Sequence, residues 1–188
     1  MRRWLALLIA MLIPAVLASP AQAFEEPATG NFAMTTAPGV LPAWSSAGIT
    51  IAGISPGSIT TTRFSTNATI TLPVVARAQS ANATAGGFRI SNTDTGASVR
   101  CLIPTVDTKA LVVDCLTTSG YNTALFSIES IATRQSFVSS TNRTTIFQGM
   151  DLKLTTAGAL VLNRELGTTV FTTSVRVATG DLNVTRAR

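Results

Sequence analysis

The chain has 188 residues, 46% of them apolar, 12% charged and 6% aromatic, with a formal net charge of +5, two cysteines and no histidine. That length holds one domain of ordinary size or two very small ones, and the low charged fraction leaves ion-pair networks a minor part in stability. Without histidine, a Ser–His–Asp triad, HExxH zinc chemistry and histidine-ligated haem are all excluded within the chain.

The first element is a secretory signal over residues 1–23. Arg2 and Arg3 form a short cationic region, and Leu5 to Leu17 form an apolar stretch interrupted only by Pro14. Ala21-Gln22-Ala23 is a small-x-small cleavage site that sets the mature terminus between Ala23 and Phe24. The apolar stretch is shorter than a bilayer span, and no later run reaches that length. A twin-arginine motif around Arg2-Arg3 is missing, and no cysteine follows the cleavage site to carry a lipid. The mature protein is therefore expected to be soluble and outside the cytoplasm, in the cell envelope or the medium. Loss of Arg2 and Arg3 lowers its formal charge from +5 to +3.

Residues 24–30 read as a loosely held leader, and 31–188 as a single β-rich domain. Ile49 and Ile51 alternate with Thr50 ahead of a Ser55-Pro56-Gly57 turn. Ile70, Leu72 and Val74 alternate with Thr69 and Thr71, and Pro73 within that run marks an edge strand or a bulge. Phe88 and Ile90 form the next apolar face, closed by a turn over Asn92 to Gly96. Phe126 and Ile128 begin a strand after the Ser119-Gly120 turn. Ile146, Met150, Leu152 and Leu154 share one parity, with Phe147 on the other as an exposed anchor or a bulge marker. Phe171, Val175 and Val177 alternate in a last strand. Ser and Thr, roughly a quarter of the chain, suit such strands, because threonine favours extended backbone and keeps the outer face wet.

Two segments have helical character: Gly39 to Ala47, with Val40, Leu41 and Trp44, and Gly158 to Leu166, stopped by Gly167. Thr35-Thr36-Ala37 and Thr155-Thr156-Ala157 precede them, which suggests a duplicated β–helix–β unit. About eight short strands with two short helices read as an antiparallel β-sandwich or a closed β-structure, the helices covering its ends or open edges.

Cys101 and Cys115, in an extracytoplasmic chain, pair as a disulfide. A turn at Asp107-Thr108-Lys109 places Cys101 opposite Cys115, Ile103 opposite Val113 and Thr105 opposite Leu111, all on one face of a hairpin. A reactive thiol lacks both a CxxC spacing and a histidine partner.

Little in the chain points to catalysis, and no catalytic, metal or cofactor-binding residue is assigned. Glu129 and Asp151 are the only carboxylates within β-runs that could form a glycosidase pair. Lys109 and Lys153 lie in a turn and on an outward face, where neither would serve a Ser–Lys dyad. No loop has the acidic spacing of a calcium site, and Gly86-Gly87 falls far short of a phosphate loop. Sequons at Asn67, Asn82, Asn142 and Asn183 decide little in a chain this rich in Ser and Thr. Arg63, Arg77, Arg89, Arg100, Arg134 and Arg143 are scattered singly, with Arg186 and Arg188 in a solvated tail, so nothing tracks a nucleic-acid backbone. Trp44, Phe88, Phe126, Phe147 and Phe171 read as core packing, with an apolar pocket as the alternative.

The run Leu152-Lys153-Leu154-Thr155-Thr156-Ala157-Gly158-Ala159, followed by a helix and a final strand, resembles the closing segment of secreted actinobacterial β-domains. Gly86-Gly87-Phe88-Arg89-Ile90, the next hairpin and Ala124-Leu125-Phe126-Ser127-Ile128 fall in a similar order. Such domains include uncharacterised cell-envelope proteins and, more distantly, the HtaA-type haem-binding domain. The haem-binding members rely on tyrosine and histidine. This chain lacks histidine and carries its one tyrosine, Tyr121, beside a glycine turn, so the resemblance implies the fold and the secreted setting but no functional residue. Twelve arginines against two lysines fit a GC-rich bacterial source.

The sequence thus describes a secreted, non-catalytic binding or structural module of the cell envelope, with an envelope or extracellular partner and no membrane span after cleavage. The alternatives are a carrier of an apolar small molecule such as lipid or haem, and a carboxylate-dependent hydrolase.

Overall fold

The computed structural model describes residues 26–61 and 66–188. The expected signal segment, with its expected cleavage point between Ala23 and Phe24, and Arg63 lie outside these residues. The chain runs from β1 (Glu26–Thr36) through α1 (Val40–Ser46) to β2 (Ile49–Ile54), β3 (Ser58–Thr61), β4 (Ala68–Ala78), β5 (Ala81–Thr84) and β6 (Gly87–Asn92). A hairpin of β7 (Ser98–Asp107) and β8 (Val112–Thr117) follows, then a longer one of β9 (Asn122–Val138) and β10 (Asn142–Leu154). Helix α2 (Thr156–Leu166) and β11 (Arg176–Ala187) complete it.

Eight strands close on themselves in the order β7-β5-β4-β1-β11-β10-β9-β8, with β8 pairing back onto β7. Strands β6 and β2 extend the sheet from β7, and β3 lies beside β4. Of the two architectures expected, the closed one is correct and the sandwich is not, because one hydrogen-bonded path runs round the whole ring. β-bulges supply the curvature: register shifts interrupt β1·β4, β10·β11, β9·β10, β4·β5, β7·β8 and β8·β9, and each kinks and coils its strand. The outlying edge strands β2 and β3 are short, which limits edge-to-edge pairing.

The enclosed core is built from Phe32, Ile70, Leu72, Met150, Leu152 and Leu182 of the barrel, with Leu162 and Leu166 of α2 packed on it. Burial alternates along each strand as the period of two requires. Residues 26–30, expected to be a loose leader, are the first part of β1: Glu26 pairs with Arg77, and Ala28, paired with Arg186, is buried. Arg186 is correspondingly not part of a solvated tail, but lies within β11 and forms an ion pair with Glu26 at 2.7 Å. Pro73 sits on β4 just past the last partner of β3 and before the first of β5, where a missing N–H costs no ladder bond.

The cystine forms as expected, with Cα atoms 5.0 Å apart, but on a different register. Cys101 faces Thr117, and Val106 faces Val113. The turn is longer than expected because the Asp107 carboxylate accepts from the N–H groups of Lys109 and Ala110, at 2.8 and 2.9 Å, and Leu111 takes a left-handed φ of 58°. A bulge between Leu102 and Thr105 then restores both cysteines to the inner face and turns Ile103 outward.

Phe147 is a bulge marker, not an exposed anchor. Phe147 is buried, and the bulge at Gln148-Gly149 switches the inner parity to Met150, Leu152 and Leu154, which leaves Ile146 off the inner face. Gly149 takes φ 63°, and its N–H donates to Asp181 Oδ1 at 2.9 Å. The last strand begins at Arg176, so Phe171 and Val175 belong to the irregular segment before it. The two β–helix–β units are not equivalent either: β10 and β11 pair with each other, whereas β1 and β2 do not.

Candidate functional site

The clearest concavity lies at the end of the barrel where α1 crosses. Helix α1 begins at Gly39, whose φ of 83° opens the turn after β1. Pro42 is accommodated because the first helical residues have N–H groups without intrahelical acceptors. The helix is too short to stand alone and is held by burial of Trp44. The Ala37 N–H donates to the Val177 carbonyl at 2.9 Å, tying the approach of α1 to the start of β11.

The opposite wall is the segment between α2 and β11. Helix α2 starts on Thr155, whose hydroxyl accepts from the Gly158 N–H at 2.9 Å, and stops on left-handed Gly167. Asn92 Nδ2 donates to the Leu166 carbonyl at 2.9 Å, fixing the helix end to β6. From α2, Asn163 donates to the Phe171 carbonyl at 2.8 Å and accepts from the Phe171 N–H at 3.1 Å. Phe171 is thereby held edge-to-face against Trp44, with ring centroids 5.3 Å apart.

Between these walls is a cleft of about 310 Å³, lined by Pro38, Val40, Ala43, Trp44, Leu154, Val170, Phe171, Val175 and Val177, with Gly39, Thr172 and Arg176 at hand. Beneath it the core is filled: Leu72, Met150, Leu152 and Leu182 of the barrel are buried, and the space among Met34, Ile51, Ile70, Phe88 and Phe126, where β2 and β6 pack on the barrel strands, amounts to about 10 Å³. A ligand would therefore sit in the mouth of the barrel and not along its axis. Arg176 contributes the one charge of the lining and is bridged to Asp151 at 2.9 Å.

The structure divides the five aromatic residues into three places. Trp44 and Phe171 make the cleft. Phe88 and Phe126 pack together in the core with centroids 6.3 Å apart, and Phe147 closes the far end under the Arg134 guanidinium, 5.3 Å from the ring centroid. The sequence offered Trp44 and Phe171 as two of five aromatics read as core packing with an apolar pocket as the alternative, and these two line the cleft, while Val170, Val175 and Asn163 carried no signal for a site. Tyr121 is exposed, in the turn after β8, and is not among the residues lining the cleft.

Glu129 and Asp151 do not face each other across a cleft. Glu129 lies 3.6 Å from Lys153, while Asp151 accepts from Arg176 and from Ser130. The hydrogen bond from Arg176, then that from Ser130, holds the Asp151 carboxyl below its ordinary range. Among the described residues no group of three or more potential metal ligands gathers, and no helix is long and apolar enough to cross a membrane. Asn82 is buried, with its amide donating to the Ser80 and Val106 carbonyls at 3.0 and 3.2 Å.

The fold and the cleft together define a closed antiparallel β-barrel with an apolar pocket at a helix-covered mouth. No family model matches the chain, and no curated protein does. Among solved structures it is similar to the haem-binding protein HtaB from Corynebacterium glutamicum, with 14% sequence identity, a TM-score of 0.52, and coverage of 86% of this chain and 94% of that one. At that identity the likeness is one of fold.

Proposed function

We propose that the chain is an extracytoplasmic, non-catalytic binding module that takes a small apolar ligand in the cleft under α1. The observation that carries this reading is the apolar lining of that cleft, set by Trp44 and Phe171 over a filled barrel. Its size falls at the lower end of the range for small-molecule sites. The signal over residues 1–23 supports the location, and the absence of histidine together with the ion-paired Glu129 and Asp151 supports a role without catalysis.

The structural neighbour binds haem, which favours a haem carrier as the second reading. Haem iron is held by His, Cys, Met or Tyr, and none of these is among the residues lining the cleft. A propionate could meet only Arg176, already bridged to Asp151. The cleft therefore does not fit haem held through its iron, and an apolar ligand recognised by shape and contact suits these residues better.

The chain from Phe24 contains Trp44 as its sole tryptophan, since the other is Trp4. Its fluorescence, titrated with the uncharged probe N-phenyl-1-naphthylamine, should change saturably at one site, and Val175→Glu should abolish the change. Lack of saturation, or indifference to V175E, would overturn the reading. A haemin complex with a ligand-shifted absorption band, tighter than the probe, would replace it with the haem-carrier reading.

A further inference from the structure

The end of the barrel opposite α1 has a different chemistry. On β10 the inner face runs Phe147, Thr145, Arg143, and on β11 it runs Leu182, Val184, Arg186; in each the first two residues are buried and the arginine emerges past the core. Arg134 on β9 stands over Phe147 in the same way, and Arg77 ends the inner face of β4 opposite Glu26. Burial, then the charge of Arg186 and, more weakly, those of Arg134 and Arg143, holds the pKa of Arg77 below its ordinary value, against the pull of Glu26. These four guanidiniums therefore share one rim. Beside them Lys109 and Arg77 edge a polar hollow of about 410 Å³. Two acids lie at this end: Glu26, paired with Arg186, and Asp107, bonded to the Lys109–Ala110 turn.

The β9–β10 hairpin projects from the same rim. Its last β9 residues are exposed, including Phe137 at 55% and Val138 at 52%, and Val138 pairs directly with Arg143. The Arg188 N–H donates to the Thr141 carbonyl in the hairpin turn at 2.9 Å, which brings a further arginine to the tip. Two exposed apolar side chains just before the polar Ser139-Ser140-Thr141 turn, with arginines beside them, suit a surface that enters the headgroup region of a bilayer, the ring and aliphatic groups below and the guanidiniums on the phosphates.

We propose that this end of the barrel docks on an anionic phospholipid surface, with Phe137 and Val138 inserted and Arg77, Arg134 and Arg143 on headgroup phosphates. The proposal is independent of the cleft under α1, which lies at the other end and would face away from the bilayer.

The test is co-sedimentation of the chain from Phe24, which holds the whole barrel and omits the apolar residues 5–17 that would bind vesicles themselves. Phosphatidylglycerol:phosphatidylcholine vesicles should capture the protein and pure phosphatidylcholine should not, with binding falling as salt rises. Each of Arg77→Gln and Arg143→Gln should weaken binding about fivefold, and Phe137→Ser with Val138→Ser about tenfold. Unchanged circular dichroism would establish that these exposed substitutions leave the barrel folded. Failure to bind anionic vesicles would overturn the proposal. So would binding that ignores F137S/V138S and is competed fully by soluble polyphosphate, which would make the rim a site for soluble polyanions.

Discussion

Asn163 and Phe171 exchange two hydrogen bonds, the side-chain amide of one closing on both backbone groups of the other at 2.8 and 3.1 Å. The exchange substitutes for strand pairing in a segment that belongs to no sheet, and it determines where Phe171 meets Trp44. Asn163→Ala should release the segment, leave two part-buried backbone groups without that partner, and cost about 1–3 kcal/mol. Chemical denaturation would measure the loss, and Trp44 emission in the native state should move to longer wavelength as its edge becomes wetter.

Gly158 lies where α2 crosses β9. A Cβ there would press on the Leu125 carbonyl oxygen, which is backbone and cannot step aside. The start of α2 is tied to β9 at the same point, where the Thr155 N–H donates to the Leu125 carbonyl at 3.1 Å. Gly158→Ala is expected to destabilise by about 1–3 kcal/mol despite alanine's higher helix propensity. Thermal unfolding would check it, and a neutral or stabilising result would mean that α2 is free to shift.

Asp107 sets the turn of the cystine hairpin. Burial works to raise its carboxyl, but the N–H groups of Ala110 and Lys109, with smaller help from Ser80 and the Lys109 charge, outweigh it and leave the pKa lowered. A lowered folded pKa stabilises above the unfolded value and is lost as pH falls through the folded one. Asp107→Ala should therefore destabilise by about 1 kcal/mol near neutral pH, and the gap to the parent should shrink in acid. A gap independent of pH would refute the assignment.

Asp114 has the opposite sign. Burial, followed by the charge of Asp107, raises its pKa. Folding then weakens as pH climbs through the carboxylate range, because the native state holds its proton longer than the unfolded chain does. Asp114→Asn should raise the denaturation midpoint at pH 7 and have little effect below the unfolded carboxylate value, which equilibrium unfolding at the two pH values would show.

The cystine closes a hairpin whose cysteines are 14 residues apart. Replacing both with alanine should cost about 3 kcal/mol in the chain-entropy description. Purified oxidised protein should take up a thiol reagent only after reduction and unfolding, since both sulfurs lie in the core.

The residue pattern alone identified the extended character of the chain, the two helices and the cystine partners. Those properties follow from local rules: β-branched alternation, glycine stops, and a single pair of cysteines. Closure into a barrel was decided elsewhere, by bulges at Leu102–Thr105 and Gln148-Gly149. A bulge moves a side chain from one face to the other, so simple alternation misplaced Ile103 and Ile146 and read Phe147 as out of step. Neither proposed surface could be assembled along the chain. Trp44 and Phe171 are far apart in sequence, and Arg77, Arg134 and Arg143 looked scattered, with Arg186 read as part of a tail, because each belongs to a different strand. Only the ring of hydrogen-bonded strands brings one residue of each to the same rim, since register across a sheet is fixed by pairing partners that sequence separation does not reveal.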